Sequence, residues 1–301
     1  MSDKAFVHLD QRAVIELSGE DRAAFLQGLV SNDMTKVAPD RAVYTALLTP
    51  QGKFLFDMFV VEYGNSFLID AEASRAAELC KKLSMYKLRS KIAITPAPHL
   101  AVFAVLGEAA AKEFDLESQP GSAQEFAGGV AFVDPRHADI GLRAILPADG
   151  GGERVLAAND FAPAGFERWD MARIQLGLPD GSRDLEVDKA ILLENGFEEL
   201  NGVDFQKGCY MGQELTARTK YRGLVRKRLM PVEVSGPVPA MGAEIRFGEA
   251  EAGEMRSSCG KLGLALIRLE QFRASNGRGL TSGAATLDVL KPKWAVFPEG
   301  E

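Results

Sequence analysis

The sequence predicts an α+β fold followed by a small all-β module, and three features carry that prediction. A β-hairpin pattern runs through Val43 to Leu48, a turn at Thr49-Pro50-Gln51-Gly52, and a second strand from Lys53 to Glu62. Strand-like and helix-like pieces then alternate in mixed order across residues 91 to 176. From Val225 the character changes to short β-rich runs separated by Gly and Pro clusters.

Taken in chain order, Ser18-Gly19-Glu20-Asp21 sets a capping Ser before acids, with Phe25, Leu26 and Leu29 following at helical spacing. A helix is expected over 19 to 30. The second hairpin strand, KFLFDMFVVE, is apolar on both faces and must be deeply buried. After Tyr63-Gly64-Asn65 another strand ends at Asp70, and AEASRAAELCKKLSMYKL has helical composition, with Cys80 read as a small hydrophobe inside it. Strands are expected at 91 to 94, 101 to 105 and 142 to 146, and helices around 108 to 114 and 160 to 176. Residues 115 to 130 and 147 to 152 read as loops. The helix through Arg173 ends at Gly177 and Pro179, and Arg173 reads as a partner of its C-terminal dipole. Strands at 229 to 234, 243 to 247 and 262 to 269 build the last module, so the chain divides into domains 1–228 and 229–301.

A chain of 301 residues, 46% hydrophobic and 26% charged, has the length to bury a ligand site within two or three modest domains. Its N-terminus shows no apolar core of signal-peptide length and no run reaches the length of a membrane span. The expected setting is therefore cytoplasmic, without membrane contact, and a monomer is the default. Cys80, Cys209 and Cys259 lie far apart, which favours free thiols over a disulfide framework and gives no local metal cluster. A net charge of -7 argues against wholesale binding of nucleic acid.

The most informative stretch is Val203 to Glu214. Gly212-Gln213-Glu214 reads as a helix start with an acid in its first turn, and Cys209 stands just before it, two residues from Lys207. That setting suits either a working thiol or a buried, inert one. Asp57 sits inside the apolar strand, so it must be hydrogen-bonded, paired or ligand-facing. Glu194, in Ala190-Ile191-Leu192-Leu193-Glu194-Asn195-Gly196, is a carboxylate in an apolar frame. Such a group matches the adjacent ring N–H and exocyclic amine of a pterin or guanine, or else lies on a solvated helix face. Arg218 to Arg228 carries six basic residues, Arg222 among them, and reads either as an anion-binding rim or as a solvated basic loop. Motifs for a Ser/His/Asp hydrolase, a Walker A loop and a dinucleotide-binding Gly turn are absent.

Lys207-Gly208-Cys209-Tyr210-Met211-Gly212-Gln213-Glu214 resembles the K-G-C-Y-x-G-Q-E signature of the YgfZ family, folate-binding relatives of the glycine cleavage T-protein. The resemblance extends to Gly19–Leu29 with Ser31-Asn32-Asp33, to Ala46–Lys53 and to Tyr86–Lys91. It implies two folate-binding α+β subdomains and a small C-terminal β-barrel. It further implies bound tetrahydrofolate, and a role in making or repairing iron-sulfur clusters in partner enzymes that include tRNA-modifying ones. Glu194 resembles the T-protein glutamate that grips the pterin. Lys207, Cys209, Tyr210, Gln213 and Glu214 fall on the signature itself, with Cys209 the implied working thiol and Asp57 and Arg222 further candidate folate contacts. T-proteins carry two adjacent acids where this chain has Phe56-Asp57, and Gly-Arg-Glu where it has Gly212-Gln213-Glu214. The resemblance therefore implies an accessory protein without turnover of its own, the alternative being a tetrahydrofolate-dependent one-carbon transferase or demethylase subunit.

Overall fold

The computed structural model describes residues 4–107, 110–223 and 225–296. The chain forms two compact units. One comprises Met1–Leu48, Leu55–Trp169 and Leu200–Met211, the other Thr49–Phe54, Asp170–Glu199 and Gly212–Glu301.

The first unit opens with β1 (Ala5–His8), β2 (Arg12–Ser18), α1 (Arg22–Gln27), β3 (Val43–Leu48) and β4 (Phe54–Tyr63). The helix expected over 19 to 30 is confined to α1. Gly19 turns at φ +109 against Lys91 and Ile92, a close approach that a Cβ would block. In β4 every residue from Phe54 to Val61 is buried, as its two apolar faces demand. Next come β5 (Ser66–Glu72), α2 (Ala76–Tyr86), β6 (Ala93–Pro96), β7 (Leu100–Leu106) and α3 (Ala110–Glu113). The start of the helix expected around 108 to 114 lies outside the described residues. The chain then gives β8 (Ala123–Phe126), β9 (Gly129–Val133), β10 (Leu142–Pro147), α4 (Gly151–Ala158), β11 (Ala162–Pro163) and α5 (Phe166–Leu176).

Two sheets result, one of order β3-β4-β5-β2-β6 and one of order β11-β1-β7-β10-β9-β8. The expected loop at 115 to 130 instead holds β8 and the start of β9, whose cross-strand pairs run from Ala123 with Phe132 to Phe126 with Gly129. The loop expected at 147 to 152 leads directly into α4. Its Leu156 packs with Phe6, Phe103, Leu146 and Phe161, so tertiary burial builds a helix that the glycines at its start conceal.

The second unit contains α6 (Gln213–Tyr221) and the strands β12 (Lys227–Ser235), β13 (Glu244–Phe247), β14 (Ala250–Cys259) and β15 (Leu262–Arg268). After α7 (Leu269–Ser275) come β16 (Leu280–Ser282) and β17 (Ala285–Val289). The six strands close into a barrel of order β12-β15-β14-β13-β16-β17, as the resemblance implied. Its interior is filled by Met230, Val232, Ile245, Met255, Ile267 and Leu287. Strand β14 escapes a reading by composition because its charged residues alternate with the small and apolar ones that face inward.

Candidate functional site

In the first unit the signature segment is stitched to the loop after α1. Ser31 Oγ donates to Gly202 O at 2.6 Å, and Asn32 Nδ2 donates to Asn201 O at 2.6 Å and Tyr44 O at 2.8 Å. The Asp204 N–H reaches Ser31 O, and the Met211 N–H reaches Gly28 O. Within this frame Lys207 turns inward. Its Nζ donates to Val30 O at 2.6 Å and Asn32 O at 2.7 Å, and stands 5.1 Å from the centroid of the buried Tyr210 ring. Burial pushes the Lys207 ammonium down to about 8, against the pull of Asp33 and Asp204. Asp204 folds the approach, its Oδ1 accepting the N–H groups of Gln206 and Lys207 and its Oδ2 the Lys36 ammonium at 2.6 Å.

Gly208 and Cys209 project from this clamp and are exposed. The Cys209 thiol makes no hydrogen bond among the described residues. The arrangement is a hydrogen-bonded loop that displays an exposed thiol. By contrast, Cys80 is half-buried in α2, where burial pushes its thiol up and away from reactivity.

Asp57 belongs to a buried charge network in the same unit. Its Oδ1 lies 3.5 Å from Arg12 and its Oδ2 accepts the Tyr44 hydroxyl at 3.3 Å. Arg12 and Arg143 both grip Asp70, at 2.6 and 2.5 Å, and Arg143 and Arg136 both reach Asp134, at 3.2 and 2.7 Å. Asp134 is held down to about 2 because the two guanidiniums outweigh its burial. Phe59 lies beneath all three arginines, with Arg143 3.8 Å from its ring centroid. Asp57 thus meets the requirement of a buried acid by internal pairing. The arginines Arg12, Arg136 and Arg143 carried no signal in the sequence, because Arg12 and Arg143 meet Asp70 from 58 and 73 positions away and Arg136 folds back on Asp134 only inside the core.

The second unit holds Glu194, Gln213, Glu214 and Arg222. Gly212, at φ +81, precedes α6. A Cβ on Gly52 would meet Gly212 O and Leu215 Cβ, both at 2.6 Å, so the hairpin turn and the start of α6 approach too closely for a side chain at that position. Gln213 is half-buried there, while Glu214 in the first turn and Arg222 at the far end are exposed. The basic stretch of which Arg222 is part includes Leu224, which lies outside the described residues.

Glu194 stands in a 3₁₀ turn, Leu192–Asn195, between buried Leu193 and Asn195 and ahead of Gly196 at φ +74. It is not on a solvated helix face. Burial raises its carboxyl, opposed by Lys227, Lys53 and Arg268. Its carboxylate makes no hydrogen bond or ion pair among the described residues.

Arg173, expected at a helix end, is instead wholly buried. It bonds Asp170 at 2.7 Å, Asp184 at 2.6 Å and Ser257 Oγ at 2.7 Å, tying α5 to β14. Among the described residues no cluster of His, Cys, Asp or Glu has the grouping of a metal site, and no helix is long and apolar enough to cross a membrane.

Residues 226–297 match the family described as CAF17, C-terminal beta-barrel domain, and residues 6–120 match the GCVT N-terminal domain. The iron-sulfur cluster assembly factor IBA57, mitochondrial, of Mus musculus is 36% identical, spanning 88% of this chain and 78% of that protein. Its Homo sapiens counterpart is 35% identical, spanning 94% and 85%. Among solved structures, the glycine cleavage system aminomethyltransferase T from Bartonella henselae aligns with a TM-score of 0.78 over 98% of this chain and 87% of that one. At 15% identity that likeness is one of fold, and it bears out the T-protein-like α+β architecture with its C-terminal barrel. The cytoplasmic setting expected from the sequence is overturned, because the matched relatives are mitochondrial proteins by name. Composition and charge report folding and membrane insertion, whereas an organelle address is read by a receptor and is not legible in them.

Proposed function

Given that the chain belongs to the IBA57 family of iron-sulfur cluster assembly factors, we propose that it binds tetrahydrofolate and, as an accessory protein, supports cluster assembly or repair in partner iron-sulfur enzymes. Those partners include tRNA-modifying ones, and other cluster assembly proteins work beside it. The observation that carries the folate reading is Glu194. A carboxylate that is half-buried, raised in pKa by burial and without a partner is an acceptor pair awaiting donors. The ring N–H and exocyclic amine of a pterin present two parallel donors to it. When bound, the folate would supply a reduced, one-carbon-carrying heterocycle.

Cys209 is the working thiol in this reading. Its exposure beside a loop clamped through Lys207, Ser31 and Asn32 supports that role, as does the likeness of Lys207–Glu214 to the YgfZ signature. One-carbon transfer asks for an acid free to steer a folate nitrogen. The engagement of Asp57 by Arg12 and Tyr44 weighs against that alternative.

Calorimetric titration with tetrahydrofolate under anaerobic conditions tests the reading. Wild type is expected to bind, and Glu194→Ala to bind at least about tenfold more weakly, the loss of a charge-assisted bond pair. Cys209→Ala is expected to keep folate affinity and lose support of iron-sulfur enzymes in a complementation assay. Absence of binding by wild type well above cellular folate would remove the folate reading, and full support by Cys209→Ala would remove the thiol's role.

A further inference from the structure

Three of the eight large apolar side chains that stand exposed among the described residues fall within four consecutive positions, at the end of α2 and in the turn after it. Met85 is 67% exposed, Tyr86 36% and Leu88 89%, the highest of the eight. Helix α2 buries Leu79 and Leu83 beside β2 and β6. Its outward face carries Lys81, Lys82 and Met85, which follow one another at helical spacing.

Leu88 serves neither the turn nor the core. It is the first residue past the helix cap Lys87 and takes φ +43, the left-handed conformation that helix ends ordinarily give to glycine. The other non-glycine residues with positive φ among the described residues are Asp, Asn or Ala. Leucine is the bulky exception, and its conformation costs free energy. Packing returns nothing for that cost, because the side chain is almost wholly exposed. A surface outside the chain accounts for it.

The charge around it narrows the partner. From Leu79 to Gly107 the sequence has no acid and five Lys or Arg, in a chain whose net charge is -7. Lys81, Lys82, Lys87 and Arg89 make no hydrogen bond or ion pair among the described residues. The acids nearby are taken, Glu78 by Arg75 at 2.9 Å, Glu20 by Lys91, and Asp21 by the Lys91 N–H at 2.7 Å. We propose that the end of α2 and its turn form a docking tip for an anionic lipid bilayer, with Leu88 and Met85 entering the interface and the four cations set against the headgroups. Surface docking takes an apolar anchor plus a basic patch and no spanning segment, and no described helix is long and apolar enough to cross a membrane. Tyr86, with a polar end on an apolar ring, suits the boundary between the two layers. A protein partner would need a pocket matched to Leu88 and acids placed for defined ion pairs. Three of the four cations are lysines, flexible point charges that suit a diffuse negative surface and are depleted in protein interfaces. The acidic remainder of the chain turns the basic tip toward such a surface.

Co-sedimentation of the full chain with lipid vesicles tests this. Wild type is expected to bind vesicles of phosphatidylcholine and phosphatidylglycerol in equal parts, to bind phosphatidylcholine alone about a hundredfold more weakly, and to leave the mixed vesicles in high salt. Leu88→Gly is expected to bind the mixed vesicles about tenfold more weakly while unfolding in urea at the same or a higher midpoint, since glycine relieves the backbone. Lys81→Gln, Lys82→Gln and Lys87→Gln combined are expected to weaken that binding about a hundredfold. A wild type that ignores the mixed vesicles overturns the proposal and turns the tip over to an acidic protein surface. Binding unmoved by Leu88→Gly and by the triple substitution puts the contact elsewhere on the chain and overturns it as well. So does a urea midpoint lowered by Leu88→Gly, which would show that the leucine serves the fold.

Discussion

Lys207 illustrates how a single side chain links sequence, fold and site. The signature that contains it is continuous in the chain, yet its two acceptors, Val30 O and Asn32 O, lie 177 and 175 residues away. No local pattern announces that clamp. Its charge carries a measurable consequence. The folded-state pKa, about 8, lies below the unfolded value of 10.5, so the unfolded chain holds the proton more tightly. The protonated lysine therefore weighs against the fold in full below about pH 8, and that burden lifts as pH rises toward 10.5. The stability difference between wild type and Lys207→Met is expected to shift in favour of wild type across that window in urea melts. A difference that stays flat with pH would show that the ammonium is solvated. Asp57 and Arg173 give the opposite lesson, since the sequence marked them as an acid in an apolar strand and a base at a helix end. Only the fold shows that both are consumed by buried partners, Arg12 and Tyr44 for the one, Asp170, Asp184 and Ser257 for the other.

At the scale of elements, strands β4, β5, β7 and β10 and helix α6 were legible because their periodicity or their turns lie within a few residues. Helix α4 and strands β8, β14, β16 and β17 were not, because polar and glycine-rich runs adopt regular structure only when a neighbour buries one face. The two sheets of the first unit are joined by charge as well as by apolar packing. Asp70 on β5 takes both Arg12 on β2 and Arg143 on β10. Asp70→Asn removes the anion while leaving two buried guanidiniums, and is expected to cost about 3–5 kcal/mol in urea denaturation. A loss below about 1 kcal/mol would mean that Asp134 and Asp57 can compensate alone.

For the whole molecule, the chain passes repeatedly between its two units, so continuous segments do not correspond to independent cores. In the second unit, Ile174 packs on Leu229 and Leu264 of the barrel, and Arg173 bonds Ser257. A fragment ending at residue 228 removes all three partners. Amides of residues 170 to 199 in that fragment are expected to lose hydrogen-exchange protection by more than about a hundredfold, whereas retained protection would show that this stretch folds without the barrel. The sequence by itself determined the fold class, a terminal β-rich module, the main hairpin and the residues of the signature, because each rests on local periodicity, turn chemistry or a contiguous motif. Tertiary structure alone decided which acids are spent inside the core and which, like Glu194, are left open. A charged side chain's role is set by the partner that burial brings to it, and that partner is often far away in the chain.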